Sequence, residues 1–586
     1  MSDALPELGF GATLLGAGRT RFRLWAPAQQ QVSVAVEDGE TVSMRRDGAW
    51  FEADVPCAAG TLYRYVLADG TKVPDPASRF QPQDVHGPSQ VVDPRGYRWK
   101  HPSWRGRPWN ETVLYELHPG CCGGFRGIAD RLPRLQELGV TAVELMPIAD
   151  FPGRHNWGYD GVLPFAPDSA YGTPEELKAL IDQAHGLGLM MFLDVVYNHF
   201  GPDGNYLNLY APQFFRQDIH TPWGGAIDFE RSEVRRFFTT NALYWLTEYR
   251  FDGLRLDAVH EIIDQRWLDQ MADEVRRKLE PRRHVHLVLE NEKNEASHLR
   301  RDIDAQWNDD GHHAFHVLLT GEDRGYYKDY AEAGSACLAR VMAEGFFFQG
   351  QTSSHRGRPR GTPSRDLPPT AFVLFLQNHD QIGNRAFGER LTQLADPGAL
   401  EAAIAAQILC PQIPMLFMGE EDASRTPFLF FTDHNPELGE MVREGRRKEF
   451  AHFPEFSDPE KRERIPDPNS PDTFTASVPE PDPEYAASRR AFYRRLIEIR
   501  MREIMPHLEQ TTAIDAQPFG SAAVIARWQL GHAGVLTIAV NLGAVGVTMP
   551  KPSGRLLFAT PSEAGGGAEV GELRPHSTVV FLDTRR

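Results

Sequence analysis

Eight short apolar runs that alternate with helical patterns are the feature that most constrains the fold of this 586-residue chain. Between the first two runs, Ile128, Leu132, Leu135 and Leu138 recur at helical spacing, and a similar pattern precedes the third run. Strands that alternate with helices favour a parallel sheet, and eight of them match a closed (β/α)₈ barrel. The runs are VLYELH from 113, AVELM from 142, MFLDVV from 191, LRLDA from 254, VHLVLE from 285, DAQWN from 304, FVLFLQ from 372 and IPMLFM from 413.

The segments that flank these runs have a β pattern instead. Short alternating runs separated by Gly, Asp and Pro turns predict a β-sandwich over residues 1–92, and similar runs predict a C-terminal β-domain over 509–586. Residues 93–112 are polar with scattered tryptophans and are interpreted as a linker. The fold class predicted is therefore α/β, with the barrel over 113–508 between two β-domains.

Charge and cysteine content narrow the function classes. A net charge of −18 and a pI near 5.6 disfavour nucleic acid and anionic membranes, but they do not disfavour a neutral sugar. No apolar run approaches the ~20 residues of a membrane span, and the start MSDALPELGF lacks the basic and apolar parts of a secretory signal. Five cysteines in no metal-site pattern favour free thiols in a reducing compartment. We expect a cytoplasmic protein without a metal or another cofactor.

Four polar clusters lie where predicted barrel strands end. They are DVVYNHF (194–200), GLRLDAVH (253–260), LVLENE (287–292) and QNHDQIGN (377–384). Barrel enzymes build their active sites at this carboxyl end, and an unpaired charge is too costly to bury as core filling. Asp257, Glu290 and Asp380 come from three different strands, yet we expect them to point at one spot.

These residue types suit the cleavage of a glycosidic bond. One carboxylate attacks or stabilises the anomeric carbon while a second carboxyl protonates the leaving oxygen. Arg255 lies two residues before Asp257 on the same strand face, where a guanidinium would keep Asp257 ionised. Glu290 follows an apolar run, so partial desolvation would raise its pKa toward that of a general acid. His199 and His379 are candidates for hydrogen bonds to sugar hydroxyls, and Trp157 and Tyr159 for stacking on a sugar ring.

The four clusters resemble, in order, the four short sequence regions of the α-amylase superfamily. The resemblance implies that Asp257 is the nucleophile, Glu290 the acid/base and Asp380 the transition-state stabiliser of a retaining mechanism. It makes Asp194, Asn198, His199, Arg255 and His379 their companions around the sugar that is cleaved. Retention predicts the two catalytic carboxyl groups ~5–5.5 Å apart.

A narrower resemblance, to the maltooligosyltrehalose trehalohydrolase family, covers most of the chain. It is carried by 144–182, DVVYNHFGPDGNYLNLYAP (194–212), NDDGHHAFHVLLTGE (308–322), QNHDQIGNRAFGERL (377–391) and 426–450. This family has a carbohydrate-binding-like β-sandwich, a barrel and a C-terminal β-domain, and it hydrolyses the α-1,4 bond next to a terminal trehalose. The resemblance implies a metabolic link, but no complex, with an enzyme that forms maltooligosyltrehalose. The substrate contacts implied, together with those above, are Tyr159, Leu256, Ala258, Val259, His260, Asp309, Asp310, His312, His313, Gln381 and Asn384.

The chain also departs from the family pattern. The loop after the first strand is the short PGCCGGF (119–125), and Gly311 and Asp422 stand where we expect aromatic residues that contact the leaving sugars. The basic loop 352–369 is interpreted as a solvated flap. Cys121 and Cys122 lie near the predicted cleft, but without a base partner they are expected to be inert thiols.

Several alternatives stay open at the level of sequence. Asp194 and Asn198 could serve only to hold the third loop, and His312 and His313 could satisfy loop backbone groups. In some amylases the residue that matches Asn198 is a calcium ligand, but no other calcium-type cluster accompanies it here. A glycogen branching or debranching enzyme is the rival enzyme hypothesis. A catalytically dead sugar-binding protein is the rival from another class, and the three occupied carboxyl positions argue against it.

Overall fold

A computed structural model of the chain describes residues 9–221, 224–451, 453, 456 and 458–584. The start of the chain, 1–8, for which the sequence predicts no secretory signal, lies outside the described residues, as do 585–586 of the predicted C-terminal domain. No described helix is both long and apolar enough to cross a membrane.

Two antiparallel sheets occupy the N-terminal part of the chain. One has the order β1-β2-β6-β5, and the other has the order β4-β3-β7-β8 with β9 paired to β7. Phe22 of the first sheet packs on Tyr63 of the second with ring centroids 4.6 Å apart, so the two sheets share one apolar core. The strands are β1 Gly11–Gly16, β2 Arg19–Trp25, β3 Val32–Val36, β4 Thr41–Ser43, β5 Arg45–Asp47, β6 Trp50–Pro56, β7 Leu62–Leu67, β8 Lys72–Val73 and β9 Ser89–Gln90.

The eight predicted apolar runs form a closed parallel barrel with the order β10-β11-β14-β17-β18-β19-β20-β21. The (β/α)₈ fold expected from the sequence is therefore confirmed. The barrel strands are β10 Leu114–Leu117, β11 Ala142–Leu145, β14 Met190–Val195, β17 Gly253–Leu256, β18 His286–Leu289, β19 Ala305–Trp307, β20 Phe372–Leu374 and β21 Ile413–Phe417. Two hairpins lie in the loops that follow β11 and β14: β12 Ala149–Asp150 with β13 Leu163–Pro167, and β15 Phe215–Thr221 with β16 Gly224–Ile227.

Helices connect and surround these strands. Their ends follow local signals: α2, for example, begins at a capping box in which Thr173 and Glu176 bond each other's backbone amides, with Pro174 in the first turn. The helices are α1 Gly124–Leu138, α2 Pro174–Gly186, α3 Leu207–Tyr210, α4 Ser232–Thr247, α5 Gln265–Lys278, α6 Asp309–Thr320, α7 Lys328–Ala333, α8 Ser335–Glu344, α9 His379–Gly383, α10 Leu391–Leu394, α11 Pro397–Leu409, α12 Pro436–Phe450, α13 Pro459–Glu463, α14 Pro471–Thr475, α15 Ala486–Ile499 and α16 Ala564–Val570.

Apolar side chains fill the amino end of the barrel. Leu114, Met190, Phe192 and Met415 belong to one fully buried cluster, against which Trp104 and Trp109 pack. The segment interpreted as a linker therefore closes this end. The indoles of both tryptophans also donate hydrogen bonds. Trp109 Nε1 donates to the carbonyl of Thr370 at 2.7 Å, and Trp104 Nε1 donates to Asp252 Oδ1 at 2.8 Å.

The C-terminal part returns to antiparallel structure. A five-stranded sheet has the order β22-β23-β24-β28-β26, and β25 pairs with β27. Thr578 of this sheet donates a hydrogen bond to the carbonyl of Ala402 in α11 at 2.7 Å. The strands are β22 Thr512–Phe519, β23 Ala523–Leu530, β24 Gly534–Asn541, β25 Val547–Thr548, β26 Arg555–Thr560, β27 Glu572–Leu573 and β28 Ser577–Asp583. The domain limits at 92, 112 and 508 stay a proposal, and none of them cuts a strand.

Candidate active site

The three candidate carboxyl groups lie at the carboxyl ends of the barrel strands. Asp257 directly follows β17, Glu290 directly follows β18, and Asp380 lies in the first turn of α9 after β20. Polar residues can occupy these positions because the strands end there and the side chains face a cleft instead of the packed interior.

Arg255 is the centre of the site. Its side chain is buried, with 1% of the residue exposed. One terminal nitrogen, Nη1, donates to Asp194 Oδ2 at 2.7 Å and to Asp257 Oδ1 at 2.9 Å. The other, Nη2, donates to Glu290 Oε2 at 2.9 Å, and Trp307 lies under the guanidinium at 4.1 Å. A planar guanidinium with donors on both ends can hold several carboxylates in fixed positions.

Two further donors hold the carboxyl groups of Asp257 and Glu290. Asn198 Nδ2 donates to Asp257 Oδ2 at 2.8 Å, so both oxygens of Asp257 accept hydrogen bonds. The backbone turns at Ala258 into the left-handed region, with φ of 40°, and its amide donates to Glu290 Oε2 at 2.8 Å. A left-handed alanine is uncommon, and here the turn aims the amide at Glu290.

A second hydrogen-bonded chain places His379 at the cleft. Its Nδ1 and backbone amide both bond the carboxylate of Glu116, and its Nε2 lies 2.9 Å from the hydroxyl of Tyr159. That hydroxyl donates to Asp194 Oδ2 at 2.6 Å. Burial lowers the pKa of His379, but the carboxylates of Glu116 and Asp380 together more than offset this, and the pKa is raised overall. Burial raises the pKa of Asp380, and the His379 charge partly offsets the shift.

These groups line an open cleft of about 790 Å³. Eleven predicted site residues contribute to its walls, so the structure brings most of them together. They are Trp157, Tyr159, His199, Arg255, Asp257, Ala258, His260, Glu290, His379, Asp380 and Asn384. Asp194 and Asn198 lie buried directly behind this wall, where they contact Arg255 and Asp257. These contacts position Arg255 and Asp257, and whether Asp194 and Asn198 also contact the sugar stays a prediction.

The structure places four of the predicted substrate contacts away from the cleft surface, so that their contact with substrate stays a prediction. Leu256, Val259, Asp310 and His312 are almost fully buried. His312 bonds the carbonyl of Leu376 at 2.6 Å, and Asp310 accepts from the hydroxyl of Tyr330 and from Asn294. Adjacent residues of a strand or helix point in different directions, so a motif that faces the cleft also contains residues that face the core.

The remaining predicted contacts lie around the cleft without lining it. His313 packs against Tyr330 with ring centroids 4.7 Å apart, and Gln381 lies half-buried in α9. Asp309 begins α6, and burial, followed by the charge of Glu290, raises its pKa to about 8. The charges of Glu290 and Asp380 both act on Asp309. Substrate contact by Asp309, His313 and Gln381 stays a prediction.

Both single-residue departures from the family pattern have structural explanations. A Cβ at Gly311 would lie 2.6 Å from Leu374 Cδ1, so a larger side chain here requires the packed leucine to shift. Asp422 is buried and forms ion pairs with Arg134 and Arg490. Neither residue lines the cleft, and the effect of these two departures on the leaving-sugar contacts stays a prediction.

The basic loop is also more than a solvated flap. Arg360 is buried, and its Nη1 lies 3.1 Å from Asp310 Oδ1. Arg356 pairs with Glu292, which lines the cleft. The loop therefore docks beside the site and neutralises a buried carboxylate. Cys122 is buried as well, and burial raises the pKa of its thiol to about 11, as suits an inert thiol.

Sequence reasoning missed two parts of the site. Glu116 holds His379 but lies inside the apolar run VLYELH. Helix α12 supplies Val442, Gly445, Arg446 and Glu449 to the cleft wall. A charged residue in an otherwise apolar strand was an available signal for Glu116. Nothing in the sequence pattern of α12 places it against loops that precede it by hundreds of residues.

The fold and the site together define a glycoside hydrolase of the α-amylase class. In agreement, the model of the alpha amylase catalytic domain matches residues 78–211, and a domain of unknown function, DUF3459, matches 512–580. The 1.4 Å crystal structure of an alpha-amylase-like protein from Salmonella typhimurium superimposes with a TM-score of 0.91 at 44% identity, covering 98% of this chain and 99% of that chain.

Two curated relatives narrow the class. The chain is 41% identical to the malto-oligosyltrehalose trehalohydrolase of Deinococcus radiodurans, over 90% of each chain. It is 39% identical to the enzyme of that name from Arthrobacter ramosus, over 96% of this chain and all of the other. A 1,4-alpha-glucan branching enzyme from Rubrobacter xylanophilus matches only 43% of this chain and 39% of its own length. The chain belongs to the malto-oligosyltrehalose trehalohydrolase family.

Proposed function

We propose that this protein hydrolyses the α-1,4-glucosidic bond next to the terminal trehalose of a maltooligosyltrehalose, releasing trehalose and a maltooligosaccharide. The observation that carries the chemistry is the single guanidinium of Arg255 that bridges Asp257 and Glu290. Such a bridge is compatible with the ~5–5.5 Å carboxyl separation of retaining enzymes, which stays a prediction. The whole-length relatives support the substrate.

The two catalytic carboxyl groups hold one proton between them. Burial and the charge of Glu290 raise the pKa of Asp257. Burial also acts to raise the pKa of Glu290, but Arg255, His260 and the Ala258 amide together lower it. These directions place the shared proton of the free protein on Asp257, opposite to the expectations that Arg255 keeps Asp257 ionised and that desolvation raises the pKa of Glu290. The reaction needs the proton on Glu290, and the pattern of hydrogen bonds allows that form. Both oxygens of Asp257 accept hydrogen bonds, whereas those to Glu290 fall on Oε2 and leave Oε1 to carry the proton.

The reaction then follows in two displacements. Asp257 attacks the anomeric carbon while Glu290 gives its proton to the oxygen of the departing trehalose, so that a glycosyl ester forms. A water molecule next loses a proton to Glu290 and attacks the same carbon, which frees Asp257. Asp380, and His379 held by Glu116, are placed to bind the hydroxyls of the reacting sugar, where contacts that strengthen in the transition state lower the barrier.

The setting proposed for this activity is the cytoplasm. Five unpaired cysteines, four of them buried, suit a reducing compartment. We propose a metabolic link to an enzyme that makes maltooligosyltrehalose, without a physical complex, and no role for nucleic acid or membrane. The partial match to a branching enzyme supports that rival less than the whole-length relatives support a hydrolase.

Product analysis tests this function. Purified protein is incubated with maltotriosyltrehalose, and separately with maltopentaose, which has the same number of sugar units. We expect free trehalose and maltotriose from the first and slow or no cleavage of the second. Equal cleavage of both would leave a general α-1,4 hydrolase, and chain transfer without net release would favour a branching enzyme. The Asp257→Ala protein, prepared in parallel, controls for contaminating hydrolases.

A further inference from the structure

Glu144 is a buried carboxyl group that the mechanism above does not use. It lies on β11 inside the barrel, with 1% of the residue exposed. Among the residues that the structure describes, neither of its oxygens has a hydrogen-bond partner. Buried polar groups without partners are rare, and each calls for an explanation.

The groups around Glu144 are charged, and the cations among them are engaged elsewhere. Glu144 is in register with Glu116 on β10, and both oxygens of Glu116 bond His379. Asp194 on β14 bonds Arg255 and Tyr159 through Oδ2, while its buried Oδ1 has no partner in the described part of the chain. Glu144 therefore lies between two carboxylates, and among the described residues no hydrogen bond joins it to Arg255 or His379. The charge of Arg255 acts to lower the pKa of Glu144, but it does not offset burial and the two carboxylates.

A third carboxylate in this layer would be very costly. Two like charges on neighbouring strands repel strongly in a dry interior, and an unpaired buried charge is stable only if it is neutralised. Burial, followed by the charges of Glu116 and Asp194, raises the pKa of Glu144 well above its usual value. No group of three or more His, Cys, Asp or Glu in the described part of the chain has an arrangement that holds a metal ion. Protonation neutralises the carboxyl without any further partner.

We propose that Glu144 is a positioning residue that stays protonated in the folded protein, between Glu116 and Asp194. A protonated carboxyl carries no charge, so it can stay buried beside the two carboxylates without a cation of its own. By remaining neutral, Glu144 adds no negative charge beside Glu116, which holds His379, or beside Asp194, which holds Arg255. Only the consequence for turnover rests on the proposed function.

The pH dependence of stability tests the stored proton. Above the usual glutamate pKa of ~4.3, the unfolded chain releases this proton and the folded chain keeps it, so stability falls as pH rises. Glu144→Gln is neutral at every pH and escapes this loss. We expect the difference in melting temperature between Glu144→Gln and the wild type to grow in favour of the variant by about 1 °C for each pH unit between pH 5 and 8. This corresponds to a tenfold change in the relative unfolding constant for each pH unit.

The exposed Glu137 in α1 gives a matched control, since Glu137→Gln should leave the difference from the wild type constant over the same range. A constant difference for Glu144→Gln as well would overturn the proposal, because a purely steric effect of the amide does not vary with pH. We expect Glu144→Gln to keep turnover of maltotriosyltrehalose within about threefold. If no variant and no wild type has that activity, the proposed function fails, but the melting data still decide on Glu144.

A spectroscopic measurement covers the case in which Glu144→Gln folds poorly. The infrared difference spectrum between wild type at neutral pH and Glu144→Asp or Glu144→Gln should contain the carbonyl stretch of a protonated carboxyl that the Glu137→Gln difference lacks. A spectrum with only carboxylate bands would contradict the stored proton. Bound metal in stoichiometric amount in the purified wild type, lost in the Gln variant, would overturn it in favour of a cation.

Discussion

The same eight strands form both ends of the barrel, but the side chains at the amino end are apolar and those at the carboxyl end are charged. The amino end is filled by apolar side chains such as Phe192 and Met415, and Trp104 and Trp109 close it. At the carboxyl end, Arg255 is surrounded by three carboxylates within 2.9 Å of its terminal nitrogens. Burial stabilises the first end through its apolar area, whereas at the second end burial has to be offset by ion pairs. The difference predicts that substitutions at the two ends affect different properties.

The largest expected effect follows from Asp257→Ala. Loss of the nucleophile should lower kcat by about 10⁴-fold or more, with the melting temperature unchanged or slightly higher, because one buried carboxylate is removed from a crowded set. Initial rates on maltotriosyltrehalose and a thermal scan measure the two properties. The exposed Asp302→Ala serves as the control. A variant that retained half of the activity would refute the assignment of Asp257.

Phe192→Ala tests the other end. This fully buried ring lies in the apolar cluster, so its truncation should destabilise the fold by about 3–5 kcal/mol with little change in KM below the unfolding temperature. Denaturant unfolding compared with Leu209→Ala, at a half-exposed position, measures the loss. A large decrease in kcat with unchanged stability would contradict the claim that the amino end of the barrel serves stability and not catalysis.

A smaller effect is expected from pH at His118, which lies just after β10. Burial lowers the pKa of His118 to about 4, and its Nε2 lies 2.8 Å from the carbonyl of Asn156. The folded chain thus keeps a neutral ring while the unfolded chain binds a proton below ~6.5, so stability falls as pH decreases from ~6.5 toward 4. Over this pH range the free energy of unfolding should decrease by about 1–3 kcal/mol.

His118→Gln should remove this acid dependence, while His532→Gln, at an exposed position, should retain it. Melting temperatures from pH 4 to 7 measure the difference. An acid loss that was identical in His118→Gln and the wild type would place the responsible group elsewhere.

Much of the fold was accessible from the sequence because the barrel depends on local patterns. Each of the eight apolar runs becomes a barrel strand, since a parallel strand buried on both faces needs a continuous apolar run. Asp257, Glu290 and Asp380 were found because polar residues at strand ends are conspicuous after such runs. Glu116 and Glu144 lie within apolar runs. The pattern that identifies such a run as a strand gives no signal for a single polar residue inside it.

The substrate contacts were harder to predict for a different reason. Asp309 and Asp310 are adjacent in one motif, yet only Asp310 is fully buried, with Arg360 and Tyr330 as partners. The direction of a side chain at a helix start depends on the turn before it, which residue types alone do not specify. The cleft wall formed by α12 depends on packing between distant segments, such as Arg446 Nη2 donating to the carbonyl of Gly383 at 2.8 Å.

The central claim, that Asp257 and Glu290 act by two displacements at one carbon, is tested most directly by the anomeric form of the product. Proton NMR recorded within the first minutes of maltotriosyltrehalose hydrolysis distinguishes α- from β-maltotriose before the anomers equilibrate. Two displacements retain configuration, so the account predicts that α-maltotriose appears first. Initial release of β-maltotriose would mean a single displacement by water and would contradict the assignment of Asp257 as nucleophile.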